Sequence, residues 1–309
     1  MYPDLTRAIE HGLRRTEPDH EWDQSVLHVS DLGAAIDGPD GKCTRQLWLR
    51  LRGADRKPHT LGQVLMFDHG NRIHERMGDL LVAGLPGGGE VLHVEKKVDL
   101  NGITGRLDTM LVGGPMSIPV KREDISVALD AQDGSDERIV VDWKTVRGNA
   151  FRYMDGPKPM NVLQLQAYMM AEHAGGGILV YIDREGQNFV QQYNIPRDDK
   201  AVRYACGYVE AVKRWAYWSD CHELPLSSGP SILQPILKRN ENKGPDSIKL
   251  EMPWQCSYCE YCDVSCPGAL EPEYRRTGII GHINDYFLPK KGCEDLTPIV
   301  HRMLRGEKI

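Results

Sequence analysis

Four cysteines fall within eleven positions, in the run Cys256-Ser-Tyr-Cys259-Glu-Tyr-Cys262-Asp-Val-Ser-Cys266-Pro267. No other feature restricts the fold as tightly. Thiols recurring at this spacing can reach one metal centre, whereas thiols used as small apolar packing groups have no reason to cluster. The start, Met-Tyr-Pro-Asp-Leu-Thr, has neither a basic nor an apolar leader region, so no secretion signal is expected. The longest apolar run, near Ile178 to Ile182, is too short to span a membrane. A soluble protein of the reducing cytoplasm follows as the expectation, and there clustered cysteines favour metal over disulfides. Of the four others, Cys43 alone reads as a buried structural thiol. Cys206 and Cys221 read as packing residues of a long helix, and Cys293 carries no assigned role.

The chain has 309 residues, 40% of them hydrophobic, enough for one large domain or two ordinary ones. Its 38 Lys and Arg against 44 Asp and Glu give a net charge of −6, unlike a protein that coats nucleic acid non-specifically. Excess acid instead suits a site that gathers divalent cations.

The stretch Ile139-Val-Val-Asp142-Trp143-Lys144 predicts a short buried strand. Residues i and i+2 share a strand face, so Asp142 and Lys144 emerge side by side. A carboxylate can hold a hard cation, and an adjacent lysine can orient a water on it. Alone, such a pair is more often a solvated ion pair. A second acid, Asp108, lies in Gly105-Arg106-Leu107-Asp108, within another strand-like run.

Residues 1–27 read as a short helix, Leu5 to Arg15, and a polar linker, followed by Ser30 or Asp31 as a helix N-cap. Arg45, Trp48, Arg50 and Arg52 are interleaved so as either to touch a nucleic-acid backbone and stack a base or to form a solvated basic helix face. Leu61 to Val82 has helical periodicity and carries Gly70-Asn-Arg-Ile-His74. Glu90 to Leu100 alternates as a strand, with Leu92, Val94, Val98 and Leu100 on one face. Asn101-Gly102 predicts a hairpin turn into a strand over Ile103 to Val112. Residues 113–137 read as a polar insertion. A helix is expected over Met160 to Ala174, where Gln164 and Tyr168 share a face. Strands follow over Gly176 to Ile182 and Asn188 to Ile195. A helix over Asp198 to Cys221 is expected to bury Tyr204, Tyr208, Trp215 and Trp218. Residues 225–250, with Lys238, Arg239, Lys243 and Lys249, read as a solvated basic linker or a loop near DNA, and 268–309 as a tail with a helix, Leu296 to Arg305.

The order of these motifs is helix with Gly-x-x-x-His, strand, strand with Gly-x-x-Asp, strand with Asp-x-Lys, helix with Gln-x-x-x-Tyr. Framed by Cys43 and the 256–266 run, it resembles the RecB-like branch of the PD-(D/E)XK nuclease superfamily. The likeness is greatest to the iron–sulfur exonucleases of CRISPR adaptation and their phage relatives, with an AddB-like cysteine arrangement. The resemblance covers about residues 28–267, the expected nuclease domain. It implies a restriction-endonuclease-like α/β core, a mixed central sheet flanked by helices, with an iron–sulfur cluster clasping the termini. It also implies Mg²⁺ or Mn²⁺ on His74, Asp108, Asp142 and the Trp143 backbone carbonyl, and Lys144 activating water. Gln164 and Tyr168 would hold Lys144 or substrate phosphate, and Arg106 would contact phosphate. Cys43, Cys256, Cys259 and a fourth cysteine would hold a 4Fe-4S cluster, with zinc as the rival occupant. Read as a ferredoxin run, the spacing makes the fourth ligand Cys262; the nuclease resemblance makes it Cys266.

The function so implied is a metal-dependent DNA exonuclease acting at ends or on single strands, in recombination, phage DNA metabolism or spacer capture. Its partners would be DNA and recombination, helicase or CRISPR-adaptation proteins. Two other functions compete: a DNA-binding or scaffolding module that no longer cuts, and an electron-transfer protein of ferredoxin type.

Overall fold

The computed structural model describes residues 24–84, 90–112, 138–184, 190–230, 236–239, 248–251, 253–262 and 264–266. The expected helix at Leu5–Arg15, the 113–137 insertion and the tail with its helix lie outside these residues. The chain divides into two compact units, Met1–Lys42 with His59–Arg214, and Cys43–Pro58 with Trp215–Ile309.

The first unit is built on a six-stranded mixed sheet in the order β1-β3-β4-β5-β6, with β2 also paired to β3. β2 (Glu90–Leu100) and β3 (Ile103–Val112) form a hairpin. Its turn residues, Asn101 and Gly102, both have positive φ, 55° and 86°. Two left-handed residues match the twist of the strands they join, which is why the Asn-Gly pair marks the turn in the sequence. The short β1 (Leu27–His28) runs parallel to the start of β3, at Ile103 and Thr104. β4 (Arg138–Val146) is antiparallel to the end of β3, then parallel to all of β5 (Gly176–Asp183). β5 is buried along its whole length, as a strand covered on both faces must be. β6 (Val190–Pro196) closes the edge, antiparallel to β5.

Helices cover both faces. In chain order α1 (Thr44–Leu51) belongs to the second unit and α2 (Leu61–Gly84) to the first. Ile73, Met77 and Leu81 of α2 pack on Leu111, Val141, Trp143, Ile178, Val180 and Ile182. A short α3 (Gly148–Arg152) follows β4, and α4 (Pro159–Glu172) covers the opposite face. Gly177 lets α4 lie against bare backbone, since a Cβ there would stand 2.7 Å from Leu165 Cδ2 and 2.9 Å from Met169 Sδ. Lys96 Nζ donates to Glu172 Oε2 at 2.6 Å, tying β2 to the end of α4.

Four local expectations are corrected. Asp31 does cap, but from the third position of a 3-10 turn over Val29–Ala35, its Oδ2 accepting the His28 N–H at 2.7 Å. In β2 only Val98 and Leu100 are buried, while Leu92 and Val94 are over a third exposed. A register shift between Val91 and His93, and a left-handed Glu95 at φ 55°, break the alternation. In α5 (Asp199–Cys221) the buried stripe is Val202, Ala205, Val209, Val212 and Ala216. Aliphatic residues at helical spacing already fill that face, so Tyr204, Trp215 and Trp218 are exposed and Tyr208 is half-buried. Cys221 is likewise exposed and not a packing residue.

The fourth correction lies in the second unit. Trp48 is fully buried and Arg45 nearly so, which removes the base-stacking reading of α1. Arg45 donates from Nη1 to Pro230 O and from Nη2 to Leu226 O, each at 2.7 Å. Arg52 lies over the Trp48 ring, 4.8 Å from its centroid, and pairs with Asp220. Gly229 faces the same ring so closely that a Cβ would stand 2.5 Å from it. Within the stretch expected as a basic linker, β7 (Ile236–Arg239) and β8 (Ile248–Glu251) pair antiparallel. A single turn, α6 (Trp254–Ser257), opens the cysteine run.

Candidate active site

β4 parts from β3 just where the acids stand. Thr109 opposite Val141 is the last pair between these strands, and from there Asp142, Trp143 and Lys144 stay only with Leu179, Val180 and Tyr181 of β5. β1 pairs no further along β3 than Thr104. Gly105 to Asp108 therefore lack a ladder partner on that side. Asp108 supplies one from its side chain, its Oδ2 accepting the Trp143 N–H at 2.7 Å. On the other face the Trp143 indole Nε1 donates to Thr109 Oγ1 at 3.3 Å. The backbone of the Asp-x-Lys segment is thus fixed from both sides.

Asp142 and Lys144 share the face toward α4, as strand alternation requires. Lys144 Nζ stands 2.7 Å from Asp142 Oδ2 and donates to Gln164 Oε1 at 3.2 Å. Gln164 Nε2 donates in turn to the Tyr168 hydroxyl at 3.0 Å. Helical i, i+4 spacing brings the amide and the phenol together. Gly105 makes room for that phenol, because a Cβ there would stand 2.9 Å from Tyr168 Cε1 and 2.7 Å from Val29 Cγ2. The glycine of Gly-x-x-Asp and the tyrosine of Gln-x-x-x-Tyr are therefore two sides of one contact.

His74 reaches the site from α2, with its Nδ1 3.5 Å from Asp108 Oδ1. Glu95 enters from β2. The pairs Val94 with Thr109 and Lys96 with Leu107 place Glu95 across from Asp108. His74, Glu95 and Asp108 offer ligand atoms all within 4.8 Å of one another, and among the described residues no other group of three could hold an ion so. Nothing in the sequence marks Glu95, which sits at a polar position of an alternating strand; only strand pairing brings it here. Arg106, expected at phosphate, donates from Nη1 to Glu95 Oε2 at 3.1 Å.

The electrostatics are those of a site short of positive charge. Burial pushes the Asp142 carboxyl up to about 6 against the pull of Lys144, and the Asp108 charge adds to the rise. Burial works to lower Lys144, but the charges of Asp142 and Asp108 outweigh it and hold the ammonium above its ordinary value. For His74, too, burial works to lower the value, and the hydrogen bond and charge of Asp108 together raise it. Burial, then the Asp142 charge, pushes Tyr168 up to about 12, so the phenol stays neutral. Asp142 is 1% exposed, and apart from its contact with Lys144 its Oδ2 has no hydrogen bond among the described residues. A buried oxygen of this kind, which feels the charges of Asp108 and His74, suits a hard cation such as Mg²⁺ or Mn²⁺, although Asp142 stands outside the closer His74, Glu95 and Asp108 group.

In the second unit Cys43, Cys256, Cys262 and Cys266 are buried, Cys259 is half-buried, and none of the five is in a disulfide. Burial raises Cys43, with the Cys266 charge adding to the rise. Burial pushes Cys259 up to about 11, with Cys43 and Cys266 contributing. The run is held against the segment after α1 by Lys57 N–H donating to Glu260 O at 2.8 Å and Ser265 Oγ donating to Asp55 O at 2.6 Å. Cys266 N–H donates to the carbonyl of the buried Tyr261 at 2.9 Å.

No family model matches the chain, and no curated protein matches it. Among solved structures, the alkaline exonuclease LHK-Exo from Laribacter hongkongensis is similar at 13% identity and a TM-score of 0.37, over 64% of this chain and 95% of that one. Its complex with dAMP aligns at a TM-score of 0.41 and 13% identity, over 65% and 94%. A phage related exonuclease from Haemophilus somnus aligns at 11% identity and a TM-score of 0.41, over 64% and 96%. The protein SSO0001 aligns at 16% identity and a TM-score of 0.38, over 84% and 94%. Likeness at this level assigns neither family nor function. Among the described residues no helix is long and apolar enough to cross a membrane.

Proposed function

We propose that the protein is a divalent-cation-dependent deoxyribonuclease of the RecB-like PD-(D/E)XK kind, cutting DNA at ends or in single strands. The observation that carries this reading is Lys144 Nζ at 2.7 Å from a buried Asp142, with Asp108 and His74 gathered where β3 and β4 part. Asp108, Asp142, His74 and the Trp143 carbonyl would hold Mg²⁺ or Mn²⁺. Bound there, the cation supplies Lewis acidity at the scissile phosphate and a bound water of lowered pKa. Gln164 holds the Lys144 ammonium by its side-chain oxygen and is itself held by Tyr168. Lys144, so fixed, orients the attacking water with an N–H and offsets charge gathering on phosphate. Tyr168, neutral throughout, keeps its hydroxyl proton available to a phosphate oxygen.

In the second unit, Cys43, Cys256, Cys259 and Cys266 would hold a 4Fe-4S cluster, with Cys262 as the alternative fourth ligand. The donor chemistry supports it: four thiols within eleven positions of sequence, Cys43 close enough to feel Cys266 and Cys259 to feel both, and burial that disfavours thiolate without a cation beside it. The biological setting suggested is recombination, phage DNA metabolism or spacer processing. End-labelled single- and double-stranded DNA incubated with the purified protein and Mn²⁺, Mg²⁺ or EDTA tests the activity. Cation-dependent shortening of the label is expected; intact DNA under all cation conditions refutes it.

A further inference from the structure

We propose that Glu95 is a ligand of the divalent cation, closing with His74 and Asp108 a three-sided site between α2 and the β2–β3 hairpin. The proposal rests on the cation-dependent reading above and adds a residue to it. The trio's ligand atoms lie within 4.8 Å of one another, and His74 Nδ1 is 3.5 Å from Asp108 Oδ1. Ligands about 2.1 Å from one octahedral ion stand about 3 Å apart when adjacent and about 4.2 Å when opposite. The His74–Asp108 pair falls within this range, and the 4.8 Å bound on the trio lies just beyond it, within reach of a small side-chain adjustment.

Two further features of Glu95 agree. Its φ of 55° puts a non-glycine residue in the left-handed region inside a strand, at the position across from Asp108. Strain of this kind persists only where surrounding structure holds it, and it gathers at ligand sites. Its carboxylate also faces a second carboxylate, that of Asp108, and pairs with Arg106 at 3.1 Å. Arg106 is more than half exposed in its side chain, so water screens its offset of that repulsion. A cation among the three offsets the repulsion from inside. Asp142 is offset by the Lys144 ammonium at 2.7 Å, whereas Glu95 is offset only by the half-exposed Arg106 at 3.1 Å among the ion pairs of the described residues.

The experiment is Mn²⁺ titration of the full chain by calorimetry, with the thermal midpoint recorded with and without Mn²⁺. Wild type, Glu95→Gln, Arg106→Gln and Asp142→Asn are compared. Glu95→Gln is expected to weaken Mn²⁺ binding at least about tenfold and to lose most of the Mn²⁺-induced rise in midpoint. Its cation-free midpoint should hold or rise, since one repelling charge is gone. Arg106→Gln breaks the same ion pair but keeps the carboxylate, and should bind Mn²⁺ as wild type does or more tightly. Wild-type Mn²⁺ affinity in Glu95→Gln overturns the proposal, as does equal weakening in Arg106→Gln, which would make the ion pair the cause. If wild type cuts DNA with Mn²⁺ while Glu95→Gln binds normally, this proposal alone fails. If wild type binds no Mn²⁺, the cation-dependent reading fails with it.

Discussion

A carboxylate taken out of water needs a partner for its charge, and Asp142 has one ammonium, Lys144, with a second acid, Asp108, nearby. Without a cation this has a cost that depends on pH. Folded Asp142 keeps its proton up to about 6, whereas the unfolded chain releases it near 3.8. The folded state then binds more protons in that window, so stability is full below it and is lost as pH rises through it. His74, also raised, carries the loss further toward neutrality. The Asp142 share is on the order of 3 kcal/mol. In EDTA the thermal midpoint should fall as pH rises from about 4 to 6 and on toward neutrality, and Asp142→Asn should flatten the fall below 6; a parallel profile in the variant would clear Asp142 of it. For catalysis, Asp142→Asn or Lys144→Ala should cut activity by about a thousandfold or more with the fold intact. His74→Ala should be milder than Asp108→Ala, because a neutral imidazole adds a ligand while a carboxylate also balances charge. Mn²⁺ titration of the two variants ranks them. Asp108, Asp142, Lys144 and His74 could be singled out in the sequence because each sits in a short motif, and the structure sets Lys144 beside Asp142 and His74 beside Asp108. Glu95 could not, since its nearness to Asp108 depends on strand pairing.

At the level of elements, the site is made by a disagreement between neighbours. β4 follows β3 for a few residues and then follows β5, and the acids stand at the fork. Strands and helices were legible where alternation or helical period ran unbroken, as in β3, β4, β5 and α4. β2 misled because a register shift and one left-handed residue change which side chains face inward. α5 misled because size is not burial: its small aliphatic stripe packs and its aromatics do not. The close fit of α4 on Gly177 gives a test of how the helix serves the site. Gly177→Ala should cost about 1–3 kcal/mol by overpacking against Leu165 and Met169. Because α4 carries Gln164 and Tyr168, cutting should slow while Mn²⁺ affinity holds. Unchanged cutting in a folded but destabilised variant would show that α4 has slack at this point.

For the whole molecule, the informative fact is that the second unit is assembled from two pieces of chain far apart in sequence. The cysteine run was the plainest signal in the sequence, yet nothing there showed that Trp48 would be buried or that β7 and β8 would pair. Those depend on contacts no local pattern records. Iron content and visible absorbance of Cys262→Ala and Cys266→Ala test the fourth ligand. Loss in Cys266→Ala is expected, and loss only in Cys262→Ala would reverse the assignment. The division of the chain also sets an order in time. Arg56 pairs with Glu260 across 204 residues, and Asp55 accepts from Ser265 across 210. At a synthesis rate of about 5–20 residues per second, roughly 10–40 s pass between the emergence of these two ends. Through that interval Trp48 and Leu49, fully buried at the finish, stay uncovered on a growing chain. Every ribosome making this protein holds an unfinished surface for that long, and a cell short of chaperones should show it first as aggregated nascent chains.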